Sequence, residues 1–321
     1  MPFSAMFFRS RHSIAILAVL ALLSVVPPVA AAFNDDFYVG LATRVLIFAI
    51  AAISLDLIVG YAGMNSLGHA VYIGVGAYSV GILSFYGIDN GFVHFGVAIL
   101  ASALVALFIG ASSVRTSGIH FIMISLAFGQ MFYYLAVSVS TYGGDDGLRI
   151  AQHSNFPIFG TLKDPVVLYY VCFAILLVVL FSLHQLVESR FGMVLRAIKS
   201  NEPRVVSVGI SPYRYRLVGF VISGVICGIA GALLANQNLF ISPASMHWSR
   251  SGEILIMTIL GGMGSLSGGV LGAGIYVGLE YFLSRLTEHW QAIMGPIIVI
   301  VILFANGGVF GMLSAIRRGR K

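Results

Sequence analysis

The sequence predicts an all-α fold: a polytopic transmembrane helical bundle of eight to ten spans, with broken, glycine-rich helices, in a single domain over residues 1–321. Three observations predict it. The chain is 59% hydrophobic and only 9% charged, whereas a soluble domain carries about 25% charged residues. Nine apolar runs are long enough to cross about 30 Å of hydrocarbon as helices. Most of the basic residues lie between these runs.

The nine runs follow one another along almost the whole chain. They are Ser13–Ala32, Val39–Gly60, Leu67–Tyr86, Phe92–Ala111, Ile119–Val139, Pro165–Val187, Leu217–Leu239, Gly252–Glu280 and Ile293–Ile316. The run Gly252–Glu280 is long and rich in glycine, so we expect it to break into two shorter helices.

The first run also has features of a cleavable signal peptide. Arg9 and Arg11 precede it, and the small residues Ala30, Ala31 and Ala32 end it. We favour a retained span, because the apolar stretch extends past the two prolines at 27 and 28 to membrane-spanning length.

The positions of Lys and Arg predict the orientation in the membrane. These residues accumulate in short cytoplasmic loops. They precede the first run and follow the last, so both termini are predicted inside and the number of spans even. With ten spans, Arg115 and the segment Glu188–Arg216 lie inside, the loop Ser140–Asp164 lies outside, and 13 of the 18 basic residues are cytoplasmic.

Several classes of function have no support in the sequence. The net charge of +6 is explained by loop residues that set topology, so nucleic acid is not an expected partner. Cys172 and Cys227 lie inside apolar runs and are predicted to be buried rather than paired. The chain has no HExxH, no paired-cysteine motif, no Gly-x-Ser-x-Gly and no GxxxxGK[ST]. We therefore predict no catalytic residues, no metal site and no cofactor bound by this chain.

Two glycine clusters lie within the apolar runs. One begins at Gly60 and the other at Leu260. Gly63-Met-Asn-Ser-Leu-Gly68 aligns with Gly262-Met-Gly-Ser-Leu-Ser267. Glycine weakens a helix and lets neighbouring helices approach closely, and paired interrupted segments in two halves of a chain can mark a transport site. The clusters predict broken helices around a pathway, or tight helix packing alone.

Polar residues at membrane depth are the remaining candidates, because an ionisable group there is functional by default. Asp56 comes just before the first cluster and could line or gate a pathway. We expect His69 to hydrogen-bond backbone groups that the glycines leave free, and Glu280 to lie near the outer interface. The full set of pathway candidates is Asp56, Gly63, Asn65, His69, Gln130, Gly262 and Gly264.

The segment Glu188–Arg216 contains six of the 18 basic residues. Apolar residues recur at helical spacing over Arg190–Lys199 and predict an amphipathic helix. A second short helix should begin near Pro203 and run to Val208, with Gly209 as its stop signal. Two such helices could lie on lipid headgroups or dock in a groove on a partner protein.

Several stretches together resemble one family. The residues from Glu202 to Ile210 resemble the EAA-type cytoplasmic loop of ABC importer permeases, although Pro203 and Arg204 replace the usual small residues. Five further stretches look like the permease family for branched-chain amino acids, of the LivM type. They are GYAGMNSLGHAVYIGVGAYSVGIL at 60–83, TSGIHFIMISLAFGQMFYYL at 116–135, TYGGDDGL at 141–148, SRFGMVLRAIKSNEPRVVSVGI at 189–210 and LIMTILGGMGSLSGGVLGAGIYVGLE at 255–280.

The resemblance implies the membrane subunit of an ATP-driven importer for branched-chain or other small neutral amino acids. It implies that the chain lies in the lipid bilayer of a bacterial inner (plasma) membrane. It also implies four protein partners: two ATP-binding cassette ATPase subunits that hold ATP and Mg, a second homologous permease, and an extracytoplasmic substrate-binding protein. By carry-over, the 188–216 segment is the cytoplasmic coupling loop, with Arg196, Glu202, Arg204 and Gly209 as its coupling residues.

Two alternatives remain open at this point. The same family includes urea and short-chain amide importers. An ion-coupled secondary transporter that works alone would use Asp56 or Glu280 as its coupling carboxylate. A membrane enzyme is a distant third alternative.

Overall fold

The computed structural model describes residue 27 and residues 36–156 and 160–304. It is built almost entirely of helices. They are α1 (Asp36–Asp56, continued by a π-helical turn Leu57–Tyr61), α2 (Ala70–Phe85), α3 (Gly91–Ser113), α4 (Ile119–Ser138), α5 (Pro165–Glu188), α6 (Arg190–Ser200), α7 (Glu202–Ser207), α8 (Pro212–Asn238), α9 (Trp248–Gly261), α10 (Leu266–Leu286) and α11 (Trp290–Phe304). The predicted span Ser13–Ala32, apart from Pro27, and the end of Ile293–Ile316 lie outside the described residues.

Six of the described helices are long and apolar enough to cross a membrane. They are Phe37–Tyr61, Gly91–Ser113, Ile119–Ser138, Pro165–Glu188, Pro212–Asn238 and Leu266–Leu286. Two shorter apolar helices, Ala70–Phe85 and Trp290–Val301, accompany them. The all-helical class is confirmed, whereas the count of eight to ten spans stays a prediction. The expected break inside Gly252–Glu280 is confirmed, since α9 ends at Gly261 and α10 begins at Leu266.

Two small strand pairs lie in the connections. β1 (Leu148–Arg149) pairs antiparallel with β4 (Phe240–Ile241), so Leu148 lies opposite Ile241. β2 (Asn155–Phe156) pairs with β3 (Gly160–Thr161). The first pair joins the loop after α4 to the chain that leaves α8.

α1 forms the centre of the bundle. About 83% of the most apolar 18-residue stretch of α1 is buried inside the protein, whereas only 17% of the corresponding stretch of α4 is buried. α1 packs against α8, α10, α5 and α9. α3, α4 and α5 instead direct apolar side chains such as Leu104, Leu135 and Val178 outwards, as expected for helices that face lipid.

Glycines allow α2 and α8 to approach each other closely. A Cβ placed on Gly76 would overlap the carbonyl oxygen of Gly228, and one on Gly231 would overlap that of Ile73. Small residues at both sides of a crossing allow backbones to touch, which is how helices associate in a bilayer.

The two ends of the bundle differ in charge. At one end the Tyr213 hydroxyl donates to Ala111 O at 3.3 Å, and the Arg115 guanidinium lies over the Tyr213 ring. We call this end, which also carries α6 and α7, the basic face. The opposite end, the loop face, carries the strands and a hydrogen bond of 2.7 Å from Gln237 Nε2 to Gly40 O.

Cys172 and Cys227 are free and fully buried. Their interpretation as buried apolar residues is confirmed.

Candidate functional site

Each glycine cluster interrupts the helical backbone. The first break, residues 62–69, separates the π-helical turn from α2, and the second break, residues 262–265, separates α9 from α10. Gly63 has φ +72°, Gly262 has φ +113° and Gly264 has φ +79°. These left-handed conformations favour glycine, so the aligned residues Gly63 and Gly262 have the same local role.

The two breaks meet around Asp56. Its Oδ1 accepts a hydrogen bond of 2.7 Å from Gly264 N, and Asp56 is only 1% exposed. A Cβ on Gly60 would lie 2.5 Å from Gly264 N, so only glycine fits between the breaks. The structure therefore brings together Asp56 and Gly264, two of the predicted pathway residues.

Serine side chains accept hydrogen bonds from backbone N–H groups that have no helical partner in and directly after the first break. Leu67 N donates to Ser125 Oγ at 3.2 Å, and Ala70 N donates to Ser251 Oγ at 2.9 Å. An unpaired backbone group costs several kcal/mol in hydrocarbon, so non-helical backbone at this depth needs such cover.

His69, the last residue of this break, is fully buried. Its Nε2 lies 3.1 Å from Ser54 Oγ and 3.4 Å from Ser223 Oγ. The side chain contacts these two hydroxyls, and not the freed backbone that we predicted, because α1 and α8 pack against it there. Among the described residues no group of three His, Cys, Asp or Glu side chains could hold a metal ion.

The other predicted pathway residues lie apart from this contact. Gly63 and Asn65 are exposed, and Gly262 is buried at the second break. Gln130 is half-buried on α4, and its Nε2 has no hydrogen-bond partner in the described part of the chain.

The 188–216 segment forms the two short helices that the sequence predicts. Ser189 Oγ accepts from Phe191 N at the start of α6, and Asn201 Oδ1 accepts from Arg204 N at the start of α7. Gly209, with φ +85°, follows the end of α7. The predicted amphipathic helix, the second short helix and its stop at Gly209 are confirmed.

Three polar contacts hold the short helices α6 and α7 to the rest of the bundle. The two carboxylate oxygens of Glu202 each accept from Arg216 at 2.9 Å, and Arg196 Nη2 donates to Val187 O at 3.2 Å. Lys199 Nζ donates to Gly60 O at 2.6 Å. Two of the predicted coupling residues, Arg196 and Glu202, therefore bond within the chain in this structure.

The outward side of the segment is partly apolar. Met193, Val206 and Val208 are 53%, 54% and 73% exposed, and Arg204 is exposed beside them. Leu195, Ile198 and Val205 are buried on the inward side. One side thus contacts the bundle, while the other is open at the basic face.

Glu280, the second candidate for ion coupling, is paired. Its Oε1 lies 2.8 Å from Arg44 Nη2, and its side chain is 19% exposed. A neighbouring cation compensates its charge in this structure.

Comparison with known proteins identifies the family. A family model described as "Branched-chain amino acid transport system / permease component" matches residues 37–305. The chain belongs to this family. It is 27% identical over 297 residues to the LivM permease protein of Salmonella typhimurium and 28% identical over 299 residues to that of Escherichia coli K12. Each alignment covers 85% of this chain and 70% of the relative.

A relative of a second kind also matches. The LivH permease protein of Escherichia coli K12 is 24% identical over 286 residues, which are 82% of this chain and 91% of that protein. Membership of the family and the apolar helices together make this chain a multi-pass membrane transport protein.

The sequence did not single out Lys199, Ser125 or Ser251 as site residues of this permease. Lys199 was one of several basic residues on a predicted amphipathic helix, and only the folded chain shows that it reaches Gly60. A serine inside an apolar run carries no sequence signal of its own. The observation that each broken helix needs hydrogen-bond acceptors nearby could have directed attention to serines on neighbouring helices.

Proposed function

We propose that this chain is the membrane-spanning permease subunit of an ABC importer, and that it translocates branched-chain or other small neutral amino acids. Family membership supports the class of transporter. The observation that carries the mechanism is the contact between the 188–216 segment and the π-helical turn that leads into the first break. Lys199 of α6 bonds to Gly60, and Gly60 lies against Gly264 of the second break.

The 188–216 segment has the form that a coupling element requires. Its exposed apolar residues Met193, Val206 and Val208 form a surface that a groove on an ATPase subunit would cover. Its inward side is bonded to the bundle through Lys199 and through the Glu202–Arg216 pair. A displacement of the segment by the ATPase is therefore transmitted directly to the backbone around both breaks.

The orientation follows from the charges. The basic face is cytoplasmic and contacts two ATPase subunits, which bind ATP and Mg, while the loop face is extracytoplasmic and receives solute from a binding protein. A second permease of similar sequence completes the assembly, as the similarity to both LivM and LivH proteins suggests.

The same orientation completes the count of spans. The helices α1 to α5 and α8 to α11 alternate between the two faces, so α2, α9 and α11 are the further crossings. With the predicted span Ser13–Ala32 the chain crosses the membrane ten times, and both termini are cytoplasmic in the bacterial inner membrane.

An ion-coupled transporter that works alone fits the structure less well. Asp56 is engaged with Gly264 N, and Glu280 is paired with Arg44. The charge of Glu280 is already compensated, and Asp56 offers only its Oδ2, which is buried and has no hydrogen-bond partner among the described residues.

The first test is the composition of the native complex. We expect the tagged chain, extracted in mild detergent from its own membranes, to co-purify with an ATPase subunit that carries a Walker A motif and with a second permease. The purified complex in proteoliposomes should take up solute only when ATP is present on the side of the membrane that carries the ATPase subunits. Uptake by the chain alone on an ion gradient would contradict the proposal.

The coupling route is tested by Lys199→Met, which removes the donor to Gly60 O. We expect the complex to assemble and to hydrolyse ATP, but to move several-fold less solute per ATP. Arg190→Gln is the matched control, since Arg190 is an exposed cation at the start of the same helix. Equal transport per ATP in the two variants would show that the Lys199–Gly60 contact carries no coupling.

A further inference from the structure

Four charged side chains meet inside the bundle near the loop face. Arg44 of α1 pairs with Glu280 of α10 at 2.8 Å, and Arg250 of α9 pairs with Glu253 at 2.5 Å. The two guanidinium groups share one aromatic neighbour, because Arg44 and Arg250 lie 5.6 Å and 5.7 Å from the centre of the Phe48 ring. Charges within membrane-spanning helices are costly and usually serve substrate or ion pathways.

The two arginines line one cavity of about 270 Å³. This is just below the roughly 300–1,000 Å³ of pockets for drug-sized ligands, so the cavity suits a smaller solute. Its apolar wall includes Phe48, Ile73 and Leu234, and its polar wall includes Asn238 and Ser242. An apolar wall beside convergent polar groups is the usual composition of a small-molecule site.

The arginines keep unused hydrogen-bonding capacity. A guanidinium has five N–H donors, and among the described residues each of these two arginines donates only one side-chain hydrogen bond, Arg44 to Glu280 and Arg250 to Glu253. Planar guanidinium groups bind carboxylates through paired N–H donors. The remaining donors are therefore suited to a carboxylate that enters the cavity.

The balance of charge selects the kind of solute. Two cations and two anions give the cluster no net charge, so a zwitterion can enter without leaving a buried charge uncompensated. Glu253 and Glu280 compensate the two arginines from outside the cavity, and the side-chain oxygens of Asn238 and Ser242 in its wall can accept hydrogen bonds from an ammonium group. Urea or a short amide carries neither charge.

The chain after α8 closes the cavity from the loop face. Leu239 adopts φ +49°, which turns the backbone so that β4 and residues 242–245 lie over the space between α2, α8 and α9. Phe240 is 43% exposed at this rim. The cavity therefore lies directly behind this rim, on the face where an extracytoplasmic binding protein would deliver solute.

We propose that this cavity is a receiving site for an α-amino acid with an aliphatic side chain, whose carboxylate is bound by Arg44 and Arg250. The aliphatic side chain packs against Phe48, Ile73 and Leu234, and the ammonium group donates hydrogen bonds to the side-chain oxygens of Asn238 and Ser242. This site deepens the proposed function and rests on it, because it places the solute of the proposed importer in one cavity and assigns the residues that bind it.

The test measures ligand binding to the full chain alone, in nanodiscs, by thermal unfolding at millimolar ligand. We expect leucine to raise the unfolding midpoint, and leucinamide and urea to leave it unchanged. The double variant Arg250→Gln/Glu253→Gln removes an ion pair without leaving an unpaired charge, and it should weaken the leucine response about tenfold or more. Arg285→Gln, a change on the loop face outside this cavity, should respond to leucine as the unmodified chain does.

A second variant distinguishes a loss of leucine binding from a loss of folding in the first. Ala244→Trp fills the cavity from its exposed rim and touches neither ion pair, and it should also abolish the response to leucine. An equal response to leucinamide, or an unchanged response to leucine in both cavity variants, would overturn the proposal.

ATP-driven uptake by the co-purified complex distinguishes a failure of the receiving site from a failure of the importer assignment. The complex could take up solute although its permease binds leucine no better than leucinamide. That result would overturn the receiving site and leave the importer assignment intact. Absence of any ATP-dependent uptake overturns the importer assignment itself.

Discussion

Asp56 shows how one side chain can join two interrupted helices. Its carboxylate is buried, yet it accepts from Gly264 N, a backbone group that would otherwise lie unpaired beside Gly60. The serines at positions 125 and 251 do the same for the first break. At the scale of single residues, these three polar side chains supply the hydrogen-bond acceptors that the interrupted backbone lacks.

Replacement of Asp56 distinguishes this structural role from ion coupling. Asp56→Asn keeps an oxygen that can accept from Gly264 N, so we expect stability and ATP-driven uptake close to those of the unmodified chain. Asp56→Leu leaves the Gly264 N–H unpaired and should lower the free energy of unfolding by about 1–3 kcal/mol. Thermal unfolding in detergent and uptake in proteoliposomes measure both effects. Loss of uptake in Asp56→Asn, with stability retained, would instead favour a coupling carboxylate.

Two glycines of α10 make a matched pair for testing close packing. A Cβ on Gly272 would overlap Met257 O and lie 2.8 Å from Gly261 N, whereas one on Gly278 meets nothing within 4 Å. We expect Gly272→Ala to destabilise the chain by about 1–3 kcal/mol through overpacking. Gly278→Ala should be neutral or stabilise it by up to about 1 kcal/mol through helix propensity. Similar melting temperatures for the two variants would contradict the described crossing of α9 and α10.

Among the elements, the 188–216 segment combines a fixed side with an open one. Buried Leu195 and Ile198 and the Lys199–Gly60 bond fix the inward side. The Glu202–Arg216 pair joins the start of α7 to the start of α8, with side-chain exposures of 40% and 12%. At these exposures the pair adds at most about 1 kcal/mol to stability, so its larger effect is to fix the angle at which α7 is presented.

Changing Glu202 and Gly209 together should uncouple the transporter. Glu202→Gln weakens the pair with Arg216, and Gly209→Ala places a side chain at φ +85°, where an L-residue is strained by about 1–2 kcal/mol. We expect the double variant to insert in the membrane and to bind the ATPase, while solute moved per ATP falls several-fold. Measured uptake and phosphate release in one proteoliposome preparation give this ratio. Unchanged ATP-driven uptake would remove the coupling assignment.

Local signals explain which elements the sequence could predict. Ser189, Asn201 and Gly209 are capping and stop residues that act within one or two turns, so α6 and α7 were predictable. The glycines at 63, 262 and 264 likewise predicted the breaks. The meeting of the two breaks was not predictable, because it depends on contacts between positions about 200 residues apart, as Asp56 and Gly264 show. The pairs Arg44–Glu280 and Lys199–Gly60 were hidden for the same reason.

At the scale of the whole molecule, alternating helices separate a basic face from a loop face. Arg115, Tyr213 and the 188–216 segment share the first face, while β1, β4 and the hydrogen-bonded Tyr86 and Tyr142 hydroxyls share the second. This arrangement agrees with the distribution of basic residues along the sequence.

Labelling of single cysteines tests the orientation. Asp145 at the loop face and Ser207 at the basic face are both exposed. We expect Asp145→Cys to react with a membrane-impermeant maleimide in intact spheroplasts, and Ser207→Cys to react only in inverted vesicles. The native Cys172 and Cys227 are buried and should give little background. The reverse pattern would invert the assignment of both faces.

The direct backbone contact between α2 and α8 has a mechanical consequence. Where Gly76 meets Gly228 and Gly231 meets Ile73, the helices have no side chains between them that could slide or change rotamer. Densely packed interfaces of this kind move as one body. We therefore expect α2 and α8 to travel together during a transport cycle. We expect rotation at the points where this pair joins the rest of the chain, at Gly87 after α2 and Gly209 before α8, which both have positive φ angles.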